Sequence, residues 1–100
     1  MISGRTGILG VIGHPVAHSA SPAMHNAALR ATGLDFVYVA FAVPPEGAAG
    51  VGDAMRALNI RGLNVTVPHK QAVSDCLDEV SAEARAIGAV NTIDHRDGRL

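Results

Sequence analysis

Lys70 is the only lysine among eight basic side chains, the other seven being arginine. It closes the stretch GLNVTVPHK, residues 62–70. On an extended chain alternate residues share a face, so Asn64 and Thr66 project together while Leu63, Val65 and Val67 point the other way. Pro68 can open a helix after this strand, which would put Lys70 in the first turn, where the macrodipole disfavours a cation. A substrate carboxylate or hydroxyl, or a paired carboxylate, would compensate, and partial burial would bring the amine toward proton-transfer range. The same lysine equally fits a side chain extended into solvent.

A second group lies in GHPVAHSASPAMHN, residues 13–26, between an apolar strand and the start of a helix. Ser19 and Ser21 stand two apart, so an extended loop brings both hydroxyls to one anion beside the helix's positive end. A carboxylate is the natural guest, and a hydroxyl can accept a cap bond while donating outward. A plain serine N-cap with a second turn serine fits the same residues. His14, His18 and His25 have no zinc-like spacing, and Cys76 has no partner for a C-x-x-C pair. These histidines read as loop hydrogen-bonders or helix-surface residues, with His14 and His18 as ligand-loop candidates. A third group is GAVNT, residues 88–92, where Asn91 falls among apolar neighbours and a buried amide would need a partner. Thr92 reads as an ordinary strand residue.

The elements that must position these groups alternate between strand and helix patterns, as in β-α units. Residues 7–12, 36–42, 60–67 and 89–93 read as strands, the first two as internal ones. A helix over 22–32 is expected from the Ser21-Pro22 start, the apolar stripe Met24, Ala27, Ala28 and Ala31, and the Gly33 stop. A second helix would bury Ala48, Val51, Met55 and Leu58, with Gly50 and Gly52 weakening it by about 1 kcal/mol each. A short helix after Pro68 would turn Ala72, Val73 and Leu77 inward, and another would run from Ser81 to near Gly88. Asp97-Gly98 is a hairpin turn signal with only two residues after it, which suggests a chain cut within a hairpin and excised from a longer protein.

Composition narrows the function. A chain of 100 residues allows one small domain. Hydrophobic residues at 48% and charged ones at 17% support a folded core. Eight basic against nine acidic residues leave no positive field for nucleic acid. The single cysteine excludes an internal disulfide framework and points to the cytoplasm. No apolar run approaches the roughly 20 residues of a membrane helix, and the opening MISGRT makes a poor signal peptide. Neither G-x-G-x-x-G nor G-K-[S/T] occurs in nucleotide-loop context, because Gly4, Gly7, Gly10 and Gly13 recur every three residues through a strand.

Taken together, GVIGHPVAHSASPAMHNAAL, GLNVTVPHK and AIGAVNTI, in that order, resemble the N-terminal substrate-binding domain of the shikimate/quinate dehydrogenase family, and the likeness covers essentially the whole chain. The resemblance implies an α/β domain of three layers, α/β/α, with a mainly parallel sheet and an antiparallel edge. It also implies a C-terminal Rossmann domain, outside these residues, that carries most of the NADP site. The implied activity is NADPH-dependent reduction of 3-dehydroshikimate to shikimate, in aromatic amino acid biosynthesis, by a cytoplasmic enzyme with no nucleic-acid or membrane partner and with a homodimer as one assembly. On this reading residues 1–100 are the substrate-binding domain, stopping before its final hairpin strand, and alone they would bind substrate weakly or not at all and turn nothing over. Ser19 and Ser21 would hold the substrate carboxylate, Asn64, Thr66 and Asn91 would bond its oxygens, and Lys70 would be the catalytic lysine. The family's catalytic aspartate follows in a G-x-N-T-D segment beyond Leu100, and Asp94 and Asp97 do not replace it. An NAD-preferring quinate/shikimate dehydrogenase and a non-catalytic small-carboxylate binding module are the alternatives.

Overall fold

Apolar and glycine residues at Gly7–Gly13 form strand β1, and the aromatic and β-branched run Phe36–Ala42 forms β2. Strand β3 is Ile60–Val65 and β4 is Thr92–Asp94. The computed structural model describes residues 2–66, 68–88 and 90–100, so the readings made for Val67 and Ala89 lie outside the described residues. The four strands form one sheet in the order β2-β1-β3-β4, with β1 parallel to both neighbours and β4 antiparallel to β3. From β1 the chain leads away to β2 on one side, and from β3 it leads to β4 on the other. The switch point, where open α/β sheets place ligands, therefore lies beyond the carboxyl ends of β1 and β3.

Register divides the side chains between two faces. Ile12 stands opposite Phe41 and Val65, and Leu63 opposite Ile93. These join Val51, Met55, Val73, Val90 and Leu100 in one apolar cluster. Gly10 on this face leaves room for Phe41, because a Cβ there would sit 2.6 Å from the ring. The other face carries Leu9 beside Tyr38, and Asn64 beside Thr92. Helix α1, Ser21–Thr32, lies against that face through its His25 ring, which stacks on Tyr38 with centroids 4.3 Å apart.

Several sequence expectations need correction. Helix α1 starts at Ser21 after Ala20, and it is Ser19 Oγ that accepts from the Ser21 amide at 3.2 Å, so Ser21 is inside the helix and caps nothing. The expected stripe Met24, Ala27, Ala28 and Ala31 is exposed; Pro22, Asn26 and Leu29, at i, i+4 and i+7, turn inward instead. Polar Asn26 hid that stripe. Strand β2 is an edge and not internal, with Val39 40% exposed. Its free edge is covered at Tyr38 by Asn26, whose Nδ2 donates to the Tyr38 carbonyl at 2.8 Å and whose Oδ1 accepts from the Tyr38 amide at 2.9 Å.

The second helical stretch divides into a 3₁₀ segment, Pro45–Gly50, and α2, Val51–Leu58, burying Ala48, Val51 and Met55 but leaving Leu58 exposed. Pro68 opens no helix at Lys70: the next element is a 3₁₀ turn, Ala72–Cys76, with Val73 buried and Ala72 exposed. Lys70 stands ahead of it, so the macrodipole argument does not apply. Asn91 precedes β4 and is exposed, because the strand is only three residues long. Helix α3, Ala82–Ile87, agrees with expectation, capped by Ser81 Oγ accepting from Ala84 at 3.1 Å and stopped by left-handed Gly88. Asp97 and Gly98 both take positive φ, and Arg96 and Arg99 exchange two 2.9 Å backbone bonds across the turn they form. Among the described residues no helix is long and apolar enough to cross a membrane.

Candidate functional site

The three parallel strands end at Gly13, Ala42 and Val65, and the connections that follow carry the polar groups. The loop after β1 holds Ser19 and leads to Ser21. The segment after β3 holds Thr66 and Lys70, while Asn91 arrives beside it on the approach to β4. Backbone bonds fix this meeting: Thr66 donates to Ile12 of β1 at 2.9 Å, Val65 donates to the Asn91 carbonyl at 2.8 Å, and Val90 donates to the Lys70 carbonyl at 2.6 Å. Asn64, Thr66, Lys70 and Asn91 are thus laced together at the sheet's carboxyl edge. Lys70 and Asn91 are exposed, and Ser19, Ser21, Asn64 and Thr66 are half-buried. His14 and His18 are exposed on the same loop as the serines.

A hydrogen-bonded row lies beneath this edge. Tyr38 arches from β2 over β1, and its hydroxyl donates to Asn64 Oδ1 at 2.7 Å; Asn64 Nδ2 donates to Thr92 Oγ1 at 3.3 Å. Burial raises the Tyr38 pKa, and a hydrogen bond from the Ser21 side chain opposes the rise. A groove of about 420 Å³, lined by Tyr38, His25, Leu9, Asn64 and Thr92, runs along this face. The larger concavity, about 700 Å³, is lined by Ile2, Thr6, Arg30 and Asp35 at the opposite end of the strands, away from the polar cluster.

Sequence reasoning missed four residues here. Tyr38 read as a strand aromatic, although a buried phenol requires a partner. Thr92 read as an ordinary strand former, yet it accepts from Asn64. Asn26 drew no reading, since an amide in a helix pattern signals nothing by itself. His69 was overlooked beside Lys70, although it is 1% exposed; its Nε2–H donates to the Val43 carbonyl after β2, and its amide donates to Thr66 at 3.0 Å. His69 anchors the lysine segment to the chain leaving β2, across the end of β1.

Hydroxyls, amides and one amine on the segments that follow β1 and β3 suit a small oxygen-rich acid. They do not suit a dinucleotide, whose pyrophosphate needs a glycine-rich turn into a helix. The connection from β1 to α1 is HPVAHSA, and those after β2 and β3 begin with VPP and TVPHK. Among the described residues no trio of metal-ligating side chains comes together.

Residues 11–93 match the family model described as the shikimate dehydrogenase substrate binding domain. The NADP(+) shikimate dehydrogenase of Methanothermobacter thermautotrophicus is 49% identical over 100 residues, covering 100% of this chain and 35% of that protein. A crystal structure of a shikimate dehydrogenase in complex with NADP+ superposes with a TM-score of 0.96 at 54% identity, covering 99% of this chain and 34% of the other. The shikimate 5-dehydrogenase of Listeria monocytogenes, solved with shikimate and NAD, gives 0.94 at 44% identity over 98% of this chain and 34% of its own. The chain spans about a third of the length of the relatives it matches. With the family model covering most of its residues and its sheet superposing on theirs, the chain belongs to the shikimate dehydrogenase substrate binding domain family.

Proposed function

We propose that residues 1–100 form the substrate-holding part of an NADP-dependent shikimate dehydrogenase, binding shikimate and 3-dehydroshikimate at the carboxyl edge of β1 and β3. The observation that supports the reading is that the backbone bonds joining Thr66, Lys70 and Asn91 lie at the carboxyl end of β3, beside the β1 connection that carries Ser19 and Ser21, so that three segments flank the topological switch point. Composition alone would not bring them there. In this reading the Ser19 and Ser21 hydroxyls donate to the substrate carboxylate. Asn64, Thr66 and Asn91 bond the ring oxygens and fix the ring's orientation. The Lys70 ammonium holds a proton at the oxygen of the reacting carbon, releasing it as that oxygen becomes a hydroxyl and recovering it in the reverse direction. The hydride comes from NADPH, held by residues outside this chain. The free Cys76 fits a reducing compartment, in keeping with a cytoplasmic enzyme.

A second reading, an NAD-preferring quinate/shikimate dehydrogenase, is favoured by the shikimate and NAD complex of the Listeria relative. Both readings use the same substrate residues and separate on cofactor. The test joins residues 1–100 to the remaining two-thirds of the Methanothermobacter relative and follows reduction of 3-dehydroshikimate with NADPH or NADH. The chimera is expected to turn over, and Lys70→Ala to lower kcat by about 10²- to 10⁴-fold. Unchanged turnover in Lys70→Ala would remove the lysine from the chemistry and leave a carboxylate-binding module. Residues 1–100 alone are expected to oxidise no NADPH, since the cofactor must stand within about 3–3.5 Å of the reacting carbon.

A further inference from the structure

Asn64 can present to a ligand either a carbonyl oxygen, which accepts, or an amide N–H, which donates. The two differ only by a flip of the side-chain amide. What decides between them is the company Asn64 keeps on the sheet. Its Oδ1 accepts the Tyr38 hydroxyl at 2.7 Å, and one Nδ2–H is directed at Thr92 Oγ1 at 3.3 Å. The remaining Nδ2–H is then left for a ligand, on the groove that Asn64 lines.

Tyr38 is itself held at three points. Its backbone amide and carbonyl are both bonded by the Asn26 side chain, at 2.9 and 2.8 Å. Its ring is stacked on His25 with an interplanar angle of 13°. At 3% exposure it has almost no water to fall back on, so loss of the Asn64 bond would leave a buried phenol with less than its full complement. Adjacent residues of α1 thus clamp a tyrosine on β2 whose hydroxyl crosses β1 to β3.

We propose that Tyr38 is a positioning residue that fixes the Asn64 amide so that it offers the ligand a single N–H donor, with His25 and Asn26 holding Tyr38 for that task. The group read by Asn64 is accordingly an acceptor oxygen on the ligand. This deepens the shikimate reading and rests on it for the identity of the ligand, but the amide orientation is a property of the unliganded chain. Fixing a binding group through a second layer of hydrogen bonds removes a conformational cost from ligand binding.

The test uses the ¹⁵N-labelled chimera of residues 1–100 with the rest of the Methanothermobacter relative, and the side-chain NH₂ signals of Asn64 and Asn26. Tyr38→Phe keeps the ring and its stack on His25 and deletes only the hydroxyl. The expected result is a shifted or exchange-broadened Asn64 pair, an unchanged Asn26 pair, and shikimate binding weakened about tenfold, the equivalent of one lost hydrogen bond. An unchanged Asn64 pair overturns the proposal whatever the affinity. A changed pair with unchanged affinity overturns its ligand-facing half. Should Tyr38→Phe fail to fold, exposed Thr92→Val supplies the decision: a shift confined to one of the two Asn64 protons supports the proposal, and a flip that moves both overturns it. If the chimera with wild-type residues 1–100 shows no shikimate-dependent shifts, the functional reading fails, and the Asn64 pair alone decides the positioning.

Discussion

The two faces of the sheet use the same four strands in opposite ways. One face buries Ile12, Leu63, Val65 and Ile93 under Val51 and Met55, joined by Val73, Val90 and Leu100. The other carries Tyr38, Asn64 and Thr92 in a hydrogen-bonded row beneath α1, a helix with no fully buried residue. The first face gains stability from area removed from water, a non-directional effect. The second gains direction, because each bond fixes the orientation of the next. The comparison predicts that stability and ligand orientation can be damaged separately.

The largest break in stability is expected on the apolar face. Met55 is 0% exposed and lies in the core cluster, so Met55→Ala should cost about 2–5 kcal/mol, seen as a lower midpoint in urea unfolding. In the folded fraction the Asn64 side-chain signals should stay where they are. A Met55→Ala chain with shifted Asn64 signals would show that the two faces are coupled and the division drawn here is wrong.

A smaller break is expected where α1 meets the edge of β2. Asn26→Ala strands the Tyr38 amide and carbonyl on an open edge, where water can replace the lost partner only in part, and should cost about 1–2 kcal/mol. Its signature is local: hydrogen exchange at the Tyr38 amide should accelerate more than at Val11 in the sheet interior. Equal acceleration at both would mean that Asn26 supports the whole fold and not this edge.

How much of this was legible in the sequence follows from which physical effect dominates at each residue. The runs at 7–13 and 36–42 are apolar enough that strand formation hardly depends on context, and both strands lie within one residue of where the pattern places them. The Gly33 and Gly88 stops and the Asp97-Gly98 turn are equally local, since left-handed backbone is what these residues supply cheaply. The α1 stripe was misread because tertiary context overrode hydrophobicity: the inward face is set by a polar bond from Asn26 to an edge strand, and hydrophobic periodicity carries no term for that. Lys70 was placed in a helix because Pro68 is a good first residue, but buried His69 ties the segment to Val43 before a helix can begin. Asn64 and Thr66 were legible as polar intrusions in an apolar strand. Tyr38 was not, because a tyrosine suits a strand whether or not its hydroxyl has work to do. The corrections concentrate where two segments distant in sequence share one hydrogen bond.

The smallest effect concerns the rim of the apolar face. Leu100 belongs to the core cluster, and its backbone is clasped by Asp78: the Leu100 amide donates to Asp78 Oδ2 at 2.8 Å, while its carbonyl accepts from Asp78 and Glu79 at 3.2 Å each. The Asp78 pKa is lowered from the ordinary value of 3.8, first by the Leu100 amide and then by the Arg56 guanidinium, 2.9 Å away. A carboxyl depressed on folding contributes stability that is complete above its unfolded pKa and is lost as pH falls through the folded value. Asp78→Ala should therefore lower the urea midpoint slightly at pH 7, and the gap between variant and wild type should narrow below about pH 4 and close in stronger acid. Added salt should shrink only the Arg56 share of that gap, because the amide bond to Leu100 carries no net charge to screen. Throughout the acid range in which the chain stays folded, the neutral Tyr38–Asn64 bond has nothing to titrate, so the Asn64 amide signals should not follow the Asp78 transition. A common midpoint for the two would mean that loosening the rim of the apolar face reaches through the sheet to the binding edge.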